Sequence, residues 1–302
     1  VSAAIEEFRQ AITSAGLEAP DMIHDDGLLH RFSPGGKRGD TAAYYVLHGD
    51  GIPAGVFGCW RAGLQSAWCA KSASAMTAQE LAAHRQRVKA MRAQREADEA
   101  ARQREEAGKA ATRWQGAVAP HGHPYLMRKS VQAHGIRQDG QTLLIPLRDT
   151  AGTLHSLQTI TSDGEKRFKG RMKGCYHAIG SKPAGHLVIA EGYATAASIH
   201  EATRWPVAVA FSAGNLMPVA MALHKAYPVL VLVLATDDDH QTPGNPGLSA
   251  ARQAALAVGG FVVAPLFPAG RPDRAKDFND LAALAGLGAV RGCFSEIEEA
   301  VC

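Results

Sequence analysis

Cysteine is scarce and scattered in this chain: Cys59, Cys69, Cys175, Cys293 and Cys302, with no C-x-x-C pair. An odd number at wide spacing does not read as a disulfide framework, so a reducing cytoplasm is the expected location. Structural zinc sites bring their ligands in close pairs, so no zinc is expected. His121 and His123 form an H-x-H, but no second pair stands nearby. The phosphate-binding signature G-x-x-x-x-G-K-[ST] is absent throughout, which excludes a P-loop motor. Long apolar runs are also missing. VLVLVLA at 229–235 is far short of the ~18 residues of a membrane helix and reads as a buried strand. With charges at Glu6, Glu7 and Arg9 and no apolar run beside them, no signal peptide is expected. Neither sign of charge dominates, since 32 Lys and Arg face 29 Asp and Glu. The net charge therefore names no partner, and its distribution has to.

At 302 residues the chain has room for two or three modest domains. Residues 1–75 open with an amphipathic helix, IEEFRQAITSAGL, closed by Gly16. Short extended pieces broken by glycine follow (LLHRF, AYYVLHG, AGVFGCWRAG, SAWCA), which predicts a small α+β domain with an antiparallel sheet. The loop SPGGKRGD at 33–40 is either a solvated turn or a phosphate contact. Residues 76–116 are rich in Ala, Arg, Gln and Glu and contain no proline, which predicts a long, exposed connecting helix. Thr77 followed by Glu80 fits a capping box at its start. Residues 117–184 read as β-rich, with LLIPLRD, TLHSLQTI and KRFKG as strands. Between 121 and 180 nine basic residues face four acidic ones, so the basic charge is concentrated here. Arg128, Lys129, Arg148, Lys166, Arg167, Lys169, Arg171 and Lys173 are the candidates for holding phosphate groups or a nucleic-acid backbone. From 185 to 302 apolar strands alternate with amphipathic helices (HLVIAE, PVAVAF, PVLVLVLAT, GFVVAPL as the strands), which predicts a parallel α/β sheet covered on both faces.

Sheets of that kind place their sites at the carboxyl ends of strands. Glu191 ends the first strand, Asp237, Asp238 and Asp239 end the third, and Lys276, Asp277, Asn279 and Asp280 follow the fourth. Alternation along an extended chain puts Asp237 and Asp239 on one face, with Asp238 turned aside. Crowded carboxylates repel unless a cation neutralises them, and a few carboxylates suit Mg²⁺ or Mn²⁺. Glu191, Asp237 and Asp239 are therefore the expected ligands, with Lys276 beside them. Asp277 and Asp280 fit either outer ligands or caps of the last helix.

At these residues the sequence resembles the Toprim domain, a Rossmann-like α/β fold with a glutamate after its first strand and Asp-x-Asp after its third. The string EGYATA at 191–196 resembles the motif of primases carried by satellite phages and conjugative plasmids. LLIPLRDTAGTLHSLQTI and KRFKGRMKGCYHAIG resemble the basic segment that precedes Toprim there. The resemblance implies a DNA-dependent RNA primase. It would use Mg²⁺ held by Glu191, Asp237 and Asp239, with Glu191 also accepting a proton. Its partners would be single-stranded DNA, ribonucleoside triphosphates and a replicative helicase supplied separately, with no membrane. Three departures are visible: residues 1–75 lack zinc ligands, Thr195 stands where replicative primases have an aspartate, and no helicase motor is present. A Toprim nuclease, or a non-catalytic nucleic-acid-binding module of a replication complex, are the alternatives.

Overall fold

The computed structural model describes residues 3–72 and 76–301, with side chains of the last helix described as far as Glu298. Cys302 lies outside the described residues, and the other four cysteines are free thiols. The chain divides into two compact units, Val1–Ala97 and Asp98–Cys302. Among the described residues no helix is long and apolar enough to cross a membrane.

In the first unit, helix α1 (Ala3–Ser14) packs on an antiparallel sheet in the order β1 (His30–Phe32), β2 (Ala43–His48), β3 (Ala54–Cys59), β4 (Leu64–Cys69). The alternation seen in the sequence sets the buried face. Phe32, Ala43, Tyr45, Leu47, Phe57 and Cys59 point inward to Phe8 and Ile12 of α1. Phe8 meets Tyr45 and Phe57 edge-on, with ring centroids 6.0 and 5.8 Å apart, a geometry that aromatic quadrupoles favour. Gly55 admits this packing, because a Cβ there would stand 2.9 Å from the Phe8 ring.

Helix α2 (Ala78–Gly116) opens on the expected capping box: the Glu80 N–H donates to Thr77 Oγ1 (3.2 Å) and the Thr77 N–H to Glu80 Oε2 (2.9 Å). Thr77→Ala should fray this first turn at a cost of about 1 kcal/mol, read as faster amide exchange at residues 79–82 with the rest of the helix unchanged.

The second unit holds two sheets. After α3 (Pro124–Lys129), four antiparallel strands run in the order β5 (Arg137–Asp139), β6 (Thr142–Arg148), β7 (Leu154–Ile160), β8 (Lys166–Gly170). His123 caps α3: its Nδ1 accepts from the Tyr125 N–H (3.2 Å) and its Nε2 lies 3.1 Å from the Gln141 carbonyl. The other sheet runs β13 (Phe261–Val263), β12 (Val231–Ala235), β10 (His186–Ala190), β11 (Val207–Val209), β9 (His177–Ile179). All its pairs are parallel except β9 with β11.

Helices α4 (Tyr193–Thr203), α5 (Ala213–Ala226), α6 (Pro246–Val258) and α7 (Phe278–Gly292) follow the four parallel strands in turn, and α8 (Ser295–Val301) ends the chain. Alternate residues of each strand feed opposite cores. Val188, Ala190, Val207 and Val233 face α4 and α7, whereas Leu187, Ile189, Leu232 and Leu234 face α5 and α6. Burying each valine or leucine contributes roughly 1.5–3 kcal/mol, and both faces are covered as the continuous apolar strands require.

Packing continues across the boundary expected at 184/185. β9 precedes that boundary yet pairs in the parallel sheet. Leu143, Ile145, Leu147 and Ile160 of the antiparallel sheet share one core with Val188, Tyr193 and Phe278. One continuous core makes 117–184 and 185–302 a single unit. Likewise α2 contributes residues to both units rather than forming a separate linker.

Candidate active site

From β10 the chain crosses to β11 on one side and later returns to β12 on the other. The connecting helices α4 and α6 lie on opposite faces. That reversal makes the carboxyl ends of β10 and β12 a topological switch point, where sheets of this kind bind their ligands. Ala190 and Ala235 are paired in register there, so the next residues, Glu191 and Thr236–Asp237, leave the sheet together.

The aspartates divide as their alternation predicts. Asp237 and Asp239 both face Lys276, whose Nζ lies 3.6 Å from Asp237 Oδ2 and 2.9 Å from Asp239 Oδ1. Asp238 turns aside. Its carboxylate pairs with Arg271 Nη1, Arg271 Nη2 donates to its carbonyl (2.9 Å), and Asn245 Nδ2 donates to Oδ1 (2.7 Å). The Asp238 N–H donates to the Lys276 carbonyl (2.8 Å), which locks the Lys276 loop against the aspartates. Gly247, at the start of α6, comes so close that a Cβ would stand 3.1 Å from Asp239 Oδ2 and 3.2 Å from the Asp237 carbonyl.

The charges are under tension. Asp237 is 8% exposed. Burial, then Asp277 and Glu191 as neighbouring like charges, push its carboxyl up to about 7 against the partial relief of Lys276. Burial raises Glu191 as well, opposed by Lys276 and by a hydrogen bond from the Ala213 N–H. Asp237 Oδ1 is buried without a hydrogen-bond partner. An orphaned carboxylate oxygen among all-oxygen donors fits a hard cation. Among the described residues no three carboxylate, His or Cys side chains already stand together in metal-holding geometry, and the Lys276 ammonium is the cation paired with Asp237 and Asp239.

The two other acids are helix caps. Asp277 caps α7, its Oδ1 accepting from the Asp280 N–H (2.8 Å). Asp280 Oδ2 accepts from the Lys276 N–H (2.9 Å), and its Oδ1 lies 3.8 Å from Lys129 Nζ. Asp280 is thereby committed to holding the loop. Asp277 remains close enough to Asp237 to raise its pKa.

The basic residues do not form one patch. In the pairing of β7 with β8, Ile160 faces Lys166 and Gln158 faces Phe168. Both partners are buried, so Lys166 and Phe168 lie on the face toward the shared core. Although β8 is open to solvent, enough protein surrounds the Lys166 ammonium to lower its pKa. Lys129 adds to the effect, and Asp277, Glu191 and Asp237 act against it. Those three acids are the site's own, so Lys166 borders it. Arg167 and Lys169 alternate to the opposite face, beside Glu106, Lys109 and Arg113 of α2; Arg167 also pairs with Glu165 at 2.8 Å. Arg148 donates to the Gly152 carbonyl (2.9 Å) and lies over the Trp114 ring. Arg128 donates to the Ser162 carbonyl (3.2 Å), and Arg171 Nε to the Lys173 carbonyl (3.4 Å).

Sequence reasoning did not single out Arg271, Asn245, Asn215 or Phe168. Asn215, buried at the start of α5, accepts from the Gly174 N–H (2.9 Å). It also donates toward the carbonyls of Met172 (3.2 Å), Cys175 (3.0 Å) and Ala210 (2.8 Å). A polar residue inside the apolar run AGNLMPVAMAL was its one signal. Phe168 is 41% exposed, flanked by basic residues in KRFKG.

A Toprim domain model matches residues 186–287, the segment that carries Glu191, Asp237 and Asp239. Residues 186–287 are a Toprim domain. Two curated proteins, both DNA primase TraC of Escherichia coli, are 38% identical to the chain. One matches over 284 residues, 88% of this chain and 27% of the relative; the other over 283 residues, 87% and 19%. The chain thus spans about a quarter or less of the length of these relatives. Its Toprim domain and the segment before it together resemble the plasmid type of primase, in agreement with EGYATA. Among solved structures, the primase fragment of the bacteriophage T7 primase-helicase protein aligns with a TM-score of 0.42 at 19% identity, covering 62% of this chain and 80% of that one.

Proposed function

We propose that this chain is the catalytic part of a DNA-dependent RNA primase that makes short primers for a mobile element. The observation that carries the reading is the site where Glu191, Asp237 and Asp239 converge beside Lys276 and Lys166, on a chain 38% identical to DNA primase TraC. Single-stranded template would run along β8, its backbone near Lys166 and a base against exposed Phe168. Lys276 and Lys166 would hold the incoming ribonucleoside triphosphate, with Lys129, Arg171 and Lys173 bordering its path. Arg128 and Arg148 hold turns of the antiparallel sheet. A 3′-hydroxyl would attack the α-phosphate and pyrophosphate would leave. Glu191, whose pKa burial raises, would accept the hydroxyl proton. Mg²⁺ or Mn²⁺ held by Glu191, Asp237 and Asp239 would neutralise phosphate charge in that transfer. A cytoplasmic location and a helicase acting as a separate partner belong to the same reading.

Asp237→Ala combined with Asp239→Ala should abolish primer synthesis while leaving the fold intact by circular dichroism. The assay supplies labelled ribonucleotides, Mg²⁺ and single-stranded DNA. New oligoribonucleotides made by the parent and lost in the double variant support the reading. Shortened DNA in place of primers would identify a Toprim nuclease, and full primer yield from the variant would refute the site.

A further inference from the structure

The first unit carries an exposed aromatic and basic surface that the catalytic site does not use. On its sheet, Arg31, Tyr44, Gly58 and Gln65 share the face opposite the core, since they alternate with Phe32, Tyr45 and Phe57 and lie in register across the four strands. Helix α2 lines one end of this face, where Val46 and Val56 share a groove with Val88 and Met91. At the other end the Tyr44 and Trp60 rings stack at 4.2 Å and 26°. Arg31 lies 4.9 Å over the Trp60 ring. Gly58 makes room for this, as a Cβ there would stand 2.9 Å from the Tyr44 hydroxyl. Trp60 nevertheless remains 52% exposed. A large ring just past the end of β3, held by Tyr44 and Arg31 yet still half exposed, offers surface to one further flat partner.

The charge around it is positive. Lys37 and Arg38, in the glycine-rich loop 33–40, are exposed and form no ion pair among the described residues. Arg61 and Asp40 cancel one another in a two-point pair, both contacts 3.0 Å. Glu18, beside Gly36, is the other acid at this loop. An aromatic platform flanked by cations matches a single-stranded nucleic acid, whose bases offer π faces and whose backbone offers phosphates. A protein partner would have to supply both a flat group and acids placed opposite three cations, whereas a nucleic-acid strand carries both in every nucleotide.

We propose that Trp60, stacked on Tyr44 and flanked by Arg31, Lys37 and Arg38, is a binding site for single-stranded DNA, taking one base on the Trp60 ring and phosphates on the loop. That the strand is the template rests on the primase reading; the stacking site does not.

The test uses the full chain without metal and a fluorescein-labelled oligodeoxythymidylate of roughly a dozen nucleotides, read by anisotropy. Trp60→Leu should weaken binding at least about fivefold. Lys37→Ala with Arg38→Ala should flatten the slope of log affinity against log salt by roughly 1.4. Binding by Trp60→Leu equal to that of the parent would overturn the site. Oligouridylate bound more tightly than the DNA would overturn the choice of strand. Should Trp60→Leu not fold, oxidation of the parent by N-bromosuccinimide decides the same question: DNA shields Trp60 from oxidation, or it does not and the proposal fails. A protein that makes no primers yet shields Trp60 refutes the primase and keeps the platform. One that makes primers with Trp60 unshielded does the reverse.

Discussion

Asp237→Asn should make the metal-free protein more stable while cutting primer synthesis by roughly a hundredfold to a thousandfold. The loss follows because a bound metal's charge stabilisation contributes several kcal/mol to the transition state. The gain follows from the carboxyl held at about 7 against an ordinary 3.8. Below about pH 4 this group is protonated in both folded and unfolded chains and changes nothing. Between about 4 and 7 the folded chain keeps a proton that the unfolded chain releases, so stability falls as pH rises. Above 7 the folded chain carries the whole cost of a buried, crowded charge, of order 4 kcal/mol from the shift alone. The amide removes most of it, with roughly 2 kcal/mol as the net expectation once a new amide–carboxylate contact is formed. Melting temperatures of parent and variant should coincide near pH 4 and separate by several degrees at pH 8. Mg²⁺ should narrow that gap by stabilising only the parent. A variant no more stable than the parent at pH 8 would show that Asp237 bears no such strain.

Asn215→Ala should cost roughly 3–5 kcal/mol, far above an average substitution. The side chain is buried and joins four backbone groups: Gly174, Met172 and Cys175 in the turn after β8, and Ala210 after β11. Alanine leaves those groups dry and unpaired, and each orphan costs about 1–3 kcal/mol where water does not enter. Asn215→Asp should be worse at neutral pH, since it turns a carboxylate toward carbonyl oxygens, and should recover partly in acid. Because the turn carries Arg171 and Lys173, nucleotide affinity should drop even in protein that stays folded. Urea midpoints and limited proteolysis at 171–174 measure the two effects, and a parental urea midpoint for the alanine variant would contradict the account.

Much of this arrangement was legible in the sequence, and the residues show why. Helix periodicity located α4 and α6 because each runs long enough to repeat its pattern, and an unbroken apolar run located β12. The carboxylates were legible because strand ends in a parallel sheet point to one edge, and the divergent turn of Asp238 followed from alternation alone. β9 was not legible: three residues, His177–Ile179, carry too little pattern to reveal that they pair with Val207–Val209. The split of the KRFKG cations was hidden for a different reason. Alternation separates Lys166 from Arg167, but which of them meets the acids depends on the register with β7. The clamp of Arg271 and Asn245 on Asp238 joins residues from separate loops, where no local spacing operates.

The antiparallel strand β9 has a consequence for grafting. It belongs by sequence to the basic segment and by hydrogen bonding to the parallel sheet. A fusion joined between 180 and 185 to a chain without a β9 of its own would therefore leave β11 as a bare edge. Bare edges recruit foreign strands, so such a fusion would be prone to aggregate. Grafting the catalytic part onto another protein should therefore take everything from the antiparallel sheet through α7 as one piece.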